Sequence, residues 1–322
     1  MKKNIIALAI ATAVAAPIAM ADAPTVYGTA NMVVNIDKSA DMGTTVDSHT
    51  SLIGVKGSED LGNGLAVAYK MEFGLNMDGS ADGLTARNQY VGLAGGFGTI
   101  LMGTHDTPLK MSQPTDLFNY GLSDNKNVSN VLIAGGEIRA DNVIAYVSPS
   151  FSGVTFIAAT VAGNKTNTTS GAESGTAADG SEIASITSVA LTYGSKKEGL
   201  YLAAATNNGS ATAITNNGEA RISAQYVTGG LIANAIYQTQ EKMGSAVIVS
   251  AGYKFGKVMP KIKMADTSES NNSGKDGTVT SVGLNYSLGK KTTAYIEVAS
   301  FDKKFTGGAA RTATTLGLQH KF

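Results

Sequence analysis

Three histidines limit the acid–base chemistry that this chain could perform. His49 lies in a polar segment, directly after Asp47 and Ser48, while His105 follows an apolar run and His320 lies close to the C-terminus. A serine hydrolase needs a serine held by a histidine that a carboxylate or amide orients. Adjacency in sequence does not make such a triad, so we expect no catalytic site.

Metal and phosphate chemistry also lacks its usual residues. The chain has no cysteine, its histidines are scattered, and no run of spaced carboxylates has the EF-hand pattern. The glycines over Gly92–Gly98 lead into a second alternating segment, whereas a phosphate-binding loop leads into a helix. We therefore expect neither a metal nor a cofactor.

Charged residues other than these candidates, such as Lys70 and Glu72, are interpreted from the secondary-structure element that carries them. In Leu65–Asn76 every odd position is large and apolar, whereas the even positions are small or polar and include Lys70 and Glu72. On a β-strand this alternation places one face in an apolar medium and the other in water. A strand of a soluble sandwich would show the same pattern, so the number and spacing of such segments decide between the two structures.

Sixteen such segments recur along the chain, most of them near the ~9–11 residues that a tilted strand needs to cross a bilayer. This even number is typical of bacterial outer-membrane barrels. We place the segments at 24–36, 50–58, 63–76, 85–95, 97–105, 140–149, 153–162, 184–194, 199–207, 218–228, 231–241, 245–256, 258–265, 278–288, 291–301 and 312–322.

The connections between the segments alternate in length. Short turns such as Gly95-Gly96 and Gly229-Gly230 separate long polar loops such as Asp37–His49 and Asp106–Arg139; Glu241–Gly244 is a short exception on the long side. Short periplasmic turns opposite long external loops are typical of transmembrane barrels. The pattern predicts an all-β, sixteen-stranded antiparallel transmembrane barrel, which must close because an unpaired strand edge is costly in hydrocarbon.

The N-terminus predicts export. Lys2 and Lys3 precede an uncharged apolar run, and Ala19-Met20-Ala21 offers the small residues that signal peptidase requires. We expect residues 1–21 to be a cleaved signal peptide and residues 22–322 to form one domain, because no linker divides them.

Charge and composition exclude other classes. The chain has 25 basic and 25 acidic residues, two of the basic ones in the signal peptide, and this balance does not fit a nucleic-acid surface. Without cysteine, stability must come from burial and backbone pairing.

Several segments resemble the general bacterial porins, which are trimeric sixteen-stranded channels. The resemblance extends over residues 22–322 and lies in Thr25–Gly28, Gly54–Leu65, Arg87–Gly98, Asn142–Gly153 and Gly317–Phe322. It implies an outer-membrane pore for small hydrophilic solutes and ions, a homotrimer in lipid and lipopolysaccharide, and a terminal Phe322 that the barrel-assembly machinery recognises.

The resemblance also implies that Asp106–Arg139 is a third loop that folds into the pore. Asp116, Asp124 and Glu137 would face water there, opposite basic residues on the wall. The positions that match the family's basic wall hold Thr29, Leu52 and Thr104, which leaves Arg139 with Lys70, Glu72 and Arg87 as pore-lining charges.

A largely neutral wall opposite an acidic loop predicts a weakly selective pore that leans toward cations. Two alternatives stay open. A solute-selective channel would need an aromatic slide or basic rings, and aromatics make up only 7% of the chain, without tryptophan. A plugged structural or adhesive barrel would conduct nothing.

Overall fold

A computed structural model describes residues 23–37, 43–80, 83–119, 121–128, 137–162, 183–209, 218–241, 243–269 and 276–322. The predicted signal peptide, residues 1–21, lies outside the described residues. Among those described, no helix is long and apolar enough to cross a membrane.

One antiparallel sheet contains every strand of the described chain. Its segments are β1 (Thr25–Asp37), β2 (Gly43–Ser48), β3 (Leu52–Gly62), β4 (Leu65–Leu75), β5 (Leu84–Gly95), β6 (Gly98–Asp106), β7 (Arg139–Val147), β8 (Val154–Ala162), β9 (Ile183–Gly194), β10 (Gly199–Gly209), β11 (Glu219–Thr228), β12 (Leu231–Gln240), β13 (Gly244–Tyr253), β14 (Val258–Glu269), β15 (Gly277–Ser287), β16 (Thr292–Phe301) and β17 (Arg311–Lys321).

The strand segments occupy sixteen positions around a closed barrel. β2 and β3 share one position, since the upper part of β1 pairs with β2 and its lower part pairs with β3. The sequence placed the second strand at 50–58 and assigned Gly43–Ser48 to a loop. That assignment was wrong because polar residues extend the strand beyond the apolar alternation, where backbone pairing continues without an apolar face.

The first and last strands close the barrel. β1 pairs with β17 along its length, from Thr29 opposite Lys321 to Asp37 opposite Ala313. Beyond the last strand, Gly28 and Phe322 exchange two backbone hydrogen bonds of 3.0 and 3.1 Å. Every strand therefore has two neighbours, as hydrocarbon requires.

Side chains alternate across the wall as the sequence predicted. On β11, Glu219, Arg221, Ser223 and Gln225 are buried toward the interior, whereas Ile222 is 64% exposed on the outside. Large apolar side chains cover the outer surface, among them Met71, Val91, Met102, Ile144, Phe156, Leu202, Val249, Ile262, Val282 and Leu316. The outer face suits lipid and the inner face suits water.

The connections follow the predicted asymmetry. The two-residue turn after β3 uses Asn63 and Gly64 at φ 54° and 77°, the left-handed region that such hairpin turns require. The described parts of the long loops contain three helices of four residues: α1 (Pro108–Met111) and α2 (Asn125–Val128) in the third loop, and α3 (Lys303–Thr306) in the last.

The apolar core lies inside the barrel, under the loops. One cluster joins Leu109 of α1 to inward residues of β6–β10, and a second joins Val128 of α2 and Phe305 of α3 to inward residues of β12–β17. Apolar residues of the inner wall are thus buried where helices of the loops cover them.

Candidate functional site

The third loop leaves the wall at a charged neck. Asp106 ends β6 and Arg139 begins β7, and the guanidinium lies 3.0 Å from the carboxylate. Lys110, one turn into the loop, contacts the same carboxylate at 3.3 Å and donates to the Glu137 carbonyl oxygen at 3.0 Å. The two ends of the loop are therefore tied together. Arg139 was predicted to line the pore, but it is 5% exposed and belongs to this neck.

The first half of the loop lies against β9, β10 and β11. The Leu109 backbone donates to Ser188 Oγ at 3.2 Å, and the Leu109 carbonyl accepts from Arg221 at 3.2 Å. One turn later, the Ser112 carbonyl accepts from Ser223 Oγ at 2.7 Å and from the Tyr201 hydroxyl. Wall side chains replace the hydrogen bonds that this irregular backbone cannot make internally.

Lys196 supports the loop from below. It belongs to the short turn between β9 and β10, and its Nζ donates to the carbonyls of Met111 and Gln113. The ammonium lies 5.0 Å from the centre of the Tyr201 ring. Burial lowers the pKa of Lys196 to about 8, and the nearby Arg221 charge acts in the same direction.

Two lysines of β14 hold the middle of the loop. Lys261 Nζ donates to the Leu117 carbonyl at 2.7 Å and to Glu297 of β16 at 2.6 Å. Lys263 Nζ donates to Asp116 at 3.1 Å and to Asn125 Oδ1 at 2.9 Å. Both ammonium groups also lie against the face of the Phe118 ring, at 4.6 and 5.2 Å.

The far end of the loop reaches the opposite side of the barrel. Gly121 lies against Thr315 of β17, so closely that a Cβ there would come within 2.7 Å of the threonine side chain. Asp124 then lies 3.5 Å from His49, in the break between β2 and β3. The loop therefore crosses the lumen and follows the inner wall from β9 to β17.

Glu137 lies on the returning limb of the loop. Its carboxylate is 3.5 Å from Arg221, whose side chain is fully buried. Burial raises the pKa of Glu137 to about 7, because the attraction of Arg221 and Lys110 does not offset desolvation.

The three predicted loop acids thus lie against the barrel wall and do not face open water. The side chains of Asp116, Asp124 and Glu137 are 6%, 8% and 19% exposed, and each contacts a basic residue of the wall. The expectation that they face water was wrong. Asp116 also accepts from the backbone of Phe118 and Asn125, which fixes it inside the loop.

A second group of charges lies on β1 and β3–β5, where the described part of the third loop does not contact it. Glu72 accepts from Lys70 at 2.9 Å, from Arg87 at 2.8 Å and from the Tyr27 hydroxyl at 2.8 Å. Lys56, directly opposite Lys70 in the strand register, lies 5.4 Å from the Tyr27 ring centre. One carboxylate therefore stands among three cations. We call this inner face the open wall, and that of β9–β17 the covered wall.

The sequence placed Lys70, Glu72 and Arg87 on the inner face, and the structure brings them together. It missed Lys56 and the inward cations of the covered wall, Arg221, Lys261 and Lys263. Thr29, Leu52 and Thr104 are uncharged, but these inward cations mean that the wall as a whole is not neutral, contrary to the prediction from the sequence. The signal was present in the alternation, because Lys261 and Lys263 flank the outward Ile262.

This arrangement of charges can partition ions between the lumen and the surrounding water. Charges at a constriction with low-dielectric walls attract or repel ions in transit. Within the described ranges no cluster of histidine, cysteine or carboxylates could hold a metal ion. Each histidine has a different environment: His49 meets Asp124, His105 packs on Tyr90, and His320 contacts Thr292.

Comparison with known sequences identifies the family. A family model described as Gram-negative porin matches residues 7–306. The major outer membrane protein P.IB of Neisseria gonorrhoeae is 27% identical over 368 residues, which covers all of both chains.

Solved structures agree in fold. An anion-selective porin from Comamonas acidovorans superposes with a TM-score of 0.72 at 20% identity, over 93% of this chain and 99% of that one. OmpT of Vibrio cholerae, folded in vitro and in its trimer form, gives 0.67 at 16% identity, over 94% and 100%. The chain belongs to the Gram-negative porin family and forms an outer-membrane pore for passive diffusion.

Proposed function

We propose that this pore is weakly selective for small anions and that the open wall sets the preference. The observation that carries the proposal is a cluster on that wall, in which Lys56, Lys70 and Arg87 surround the carboxylate of Glu72. Lys56 has no ion-pair partner among the described residues, and it is exposed to the lumen. An anion that passes this wall meets a net positive field.

The acidic residues of the third loop, on the other side of the lumen, do not cancel that positive field. Asp116, Asp124 and Glu137 each contact a wall residue that carries or can carry positive charge, so their fields are locally compensated. The cation preference expected from the sequence depended on these acids facing water and on a neutral wall. Because neither condition is met, an anion preference is better supported than a cation preference. The anion-selective porin of similar fold is consistent with it.

Further properties follow from the same family membership. We propose that the protein works as a homotrimer, as the trimer form of OmpT does, embedded in outer-membrane lipid and lipopolysaccharide. We also propose export through cleavage of residues 1–21, recognition of Phe322 by the barrel-assembly machinery, transport without catalysis, and no resident metal or cofactor. Phe322 supports the assembly role, because it pairs with Gly28 at the seam where the barrel closes.

Planar-bilayer recording of the purified protein tests the selectivity. In a KCl gradient the reversal potential should show a modest anion preference, and Lys56→Gln should move it toward cations. Lys290→Gln, which removes one charge from an exposed turn, is the matched control and should leave it unchanged.

Other outcomes favour the alternatives. A wild-type potential of the cation sign would restore the preference expected from the sequence. Block by one solute at low concentration would indicate a solute-selective channel, and absence of conductance would indicate a plugged barrel. Conductance steps in threes would support the trimer.

A further inference from the structure

Three chain segments at the short-turn end of the barrel combine exposed aromatic rings with exposed lysines. They are Tyr253–Lys257 at the β13–β14 turn, Tyr286–Lys291 at the β15–β16 turn, and Lys321-Phe322 at the end of β17. Large fractions of their rings are exposed: 49% for Tyr253, 54% for Phe255, 42% for Tyr286 and 48% for Phe322. Exposed aromatic rings near the end of a transmembrane barrel form a girdle at the level of the lipid headgroups. The lysines therefore lie at the membrane surface, on the periplasmic side.

The sheet brings the three segments together, because β13 to β17 are consecutive neighbours. The Ser287 amide donates to the Lys257 carbonyl at 2.8 Å, and the Lys321 amide donates to the Lys291 carbonyl at 2.8 Å. Since neighbouring strands lie ~4.8 Å apart, the lysines follow one arc of about 20 Å along the barrel rim. We call the following five residues the lysine arc: Lys254, Lys257, Lys290, Lys291 and Lys321.

The positive charge of the lysine arc is not balanced locally. All five side chains are exposed, and no ion pair within the described residues includes any of them. The rest of this rim differs: the turns at Gly95-Gly96 and Gly229-Gly230 carry no charge, and Lys197 is followed by Glu198. The acidic pair Glu59-Asp60 lies at the β3–β4 turn, which β1 separates from the arc. Five positive charges therefore face one sector of the membrane surface.

The external end of the same strands has no such unbalanced cluster among its described residues. Lys304 of α3 pairs with Asp276 at 2.9 Å, and Arg311 of β17 pairs with Asp37 at 3.1 Å. The cluster of unpaired lysines thus belongs to the periplasmic end, where it meets the inner leaflet of the membrane.

We propose that the lysine arc binds anionic phospholipids of the periplasmic leaflet through their phosphate groups. Clusters of four to eight basic residues at a membrane surface attract anionic headgroups. A lysine stem can lie along apolar surface while its ammonium reaches a phosphate, and the neighbouring rings supply that surface. The rings favour a lipid over a soluble phosphate, since a soluble anion gains nothing from them. This binding goes beyond transport, because the arc lies outside the lumen.

The test is native mass spectrometry of the protein released from bilayers that contain phosphatidylglycerol and phosphatidylcholine in equal amounts. The wild type should retain phosphatidylglycerol several-fold more often than phosphatidylcholine, and high salt should weaken this preference because the charges are exposed. Lys290→Gln/Lys291→Gln should lose most of the preference, and Lys290→Arg/Lys291→Arg should keep it. Lys303→Gln/Lys304→Gln removes two adjacent exposed lysines from the external end and is the matched control, which should behave like the wild type.

Four outcomes would overturn the proposal. They are equal retention of both lipids by the wild type, equal losses in the two glutamine variants, loss of the preference in the arginine variant, and displacement of the lipid by soluble glycerol phosphate. The last result would assign the arc to a free phosphate.

Planar-bilayer conductance of the same proteins separates this proposal from the pore function. Lys290→Gln/Lys291→Gln should conduct like the wild type, because its charges lie outside the lumen. A wild type that conducts without a lipid preference contradicts only the lipid site, whereas a wild type that does not conduct contradicts the pore function.

Discussion

The covered wall and the open wall of this barrel carry the same residue types in the same orientation, yet the structure uses them differently. On the covered wall, Arg221 and Lys261 are fully buried and donate to carbonyl oxygens of the third loop. On the open wall, Lys70 and Arg87 are 22% and 29% exposed and gather around Glu72. The third loop therefore decides which inward cations bind protein groups and which face ions in the lumen.

The physical reason is desolvation. A buried ammonium must replace its hydrogen bonds to water with hydrogen bonds to carbonyls and carboxylates. These close partners offset its positive charge, so little of its electric field extends into the lumen. A partly exposed one keeps some of its water, and its field extends into the lumen.

The largest effect is expected where a buried pair of the covered wall is broken. Glu297→Gln removes the carboxylate partner of Lys261, and both side chains of this pair are at most 1% exposed. Removing one partner of such a pair costs about 3–5 kcal/mol, so the free energy of unfolding in urea should fall by that amount. Lys304→Met, which breaks the exposed pair with Asp276, is the control and should leave the free energy of unfolding nearly unchanged, because water solvates both partners. Equal losses of unfolding free energy in the two variants would mean that burial under the loop does not strengthen the ion pair of the covered wall.

A smaller change in the free energy of unfolding is expected when the Lys196 ammonium loses its proton. Its pKa is lowered to about 8 by burial, so between pH 8 and the ordinary lysine pKa the unfolded chain binds more protons than the folded one. Stability should therefore rise over that range, by at most about 3 kcal/mol. Lys196→Met should lack this rise, and subtracting its unfolding free energies from those of the wild type cancels other titrations. Parallel curves would refute the burial of this ammonium under the loop.

The smallest stability effect is expected on the open wall, together with a change in transport. Glu72→Gln keeps the side chain's size but removes the one carboxylate among the cations. Because Lys70 and Arg87 are partly hydrated, the unfolding free energy should fall by only about 1 kcal/mol. The reversal potential should move further toward anions, whereas Asp276→Asn on an exposed loop should not move it. A loss as large as that of Glu297→Gln would erase the distinction between the two walls.

Much of the barrel was predictable because its pattern is local. The alternation in Leu65–Leu75 placed Lys70 and Glu72 on the inner face without any tertiary information. The same reasoning applied to β14 would have found Lys261 and Lys263, so their omission was avoidable. The interruption at Thr50 was not predictable, since no residue type there demands a left-handed backbone.

The sequence by itself determined the barrel, its closure and the side of the wall on which each strand residue lies, because a strand's two faces meet different solvents. Only the tertiary structure decided which inward charges face the lumen and which form ion pairs between the loop and the wall. Asp116 and Glu137 looked like pore acids, and they became partners of Lys263 and Arg221 when the loop folded across the lumen. That outcome depends on contacts between residues more than 80 positions apart along the chain, as the 84 positions between Glu137 and Arg221 show, and no local pattern encodes them.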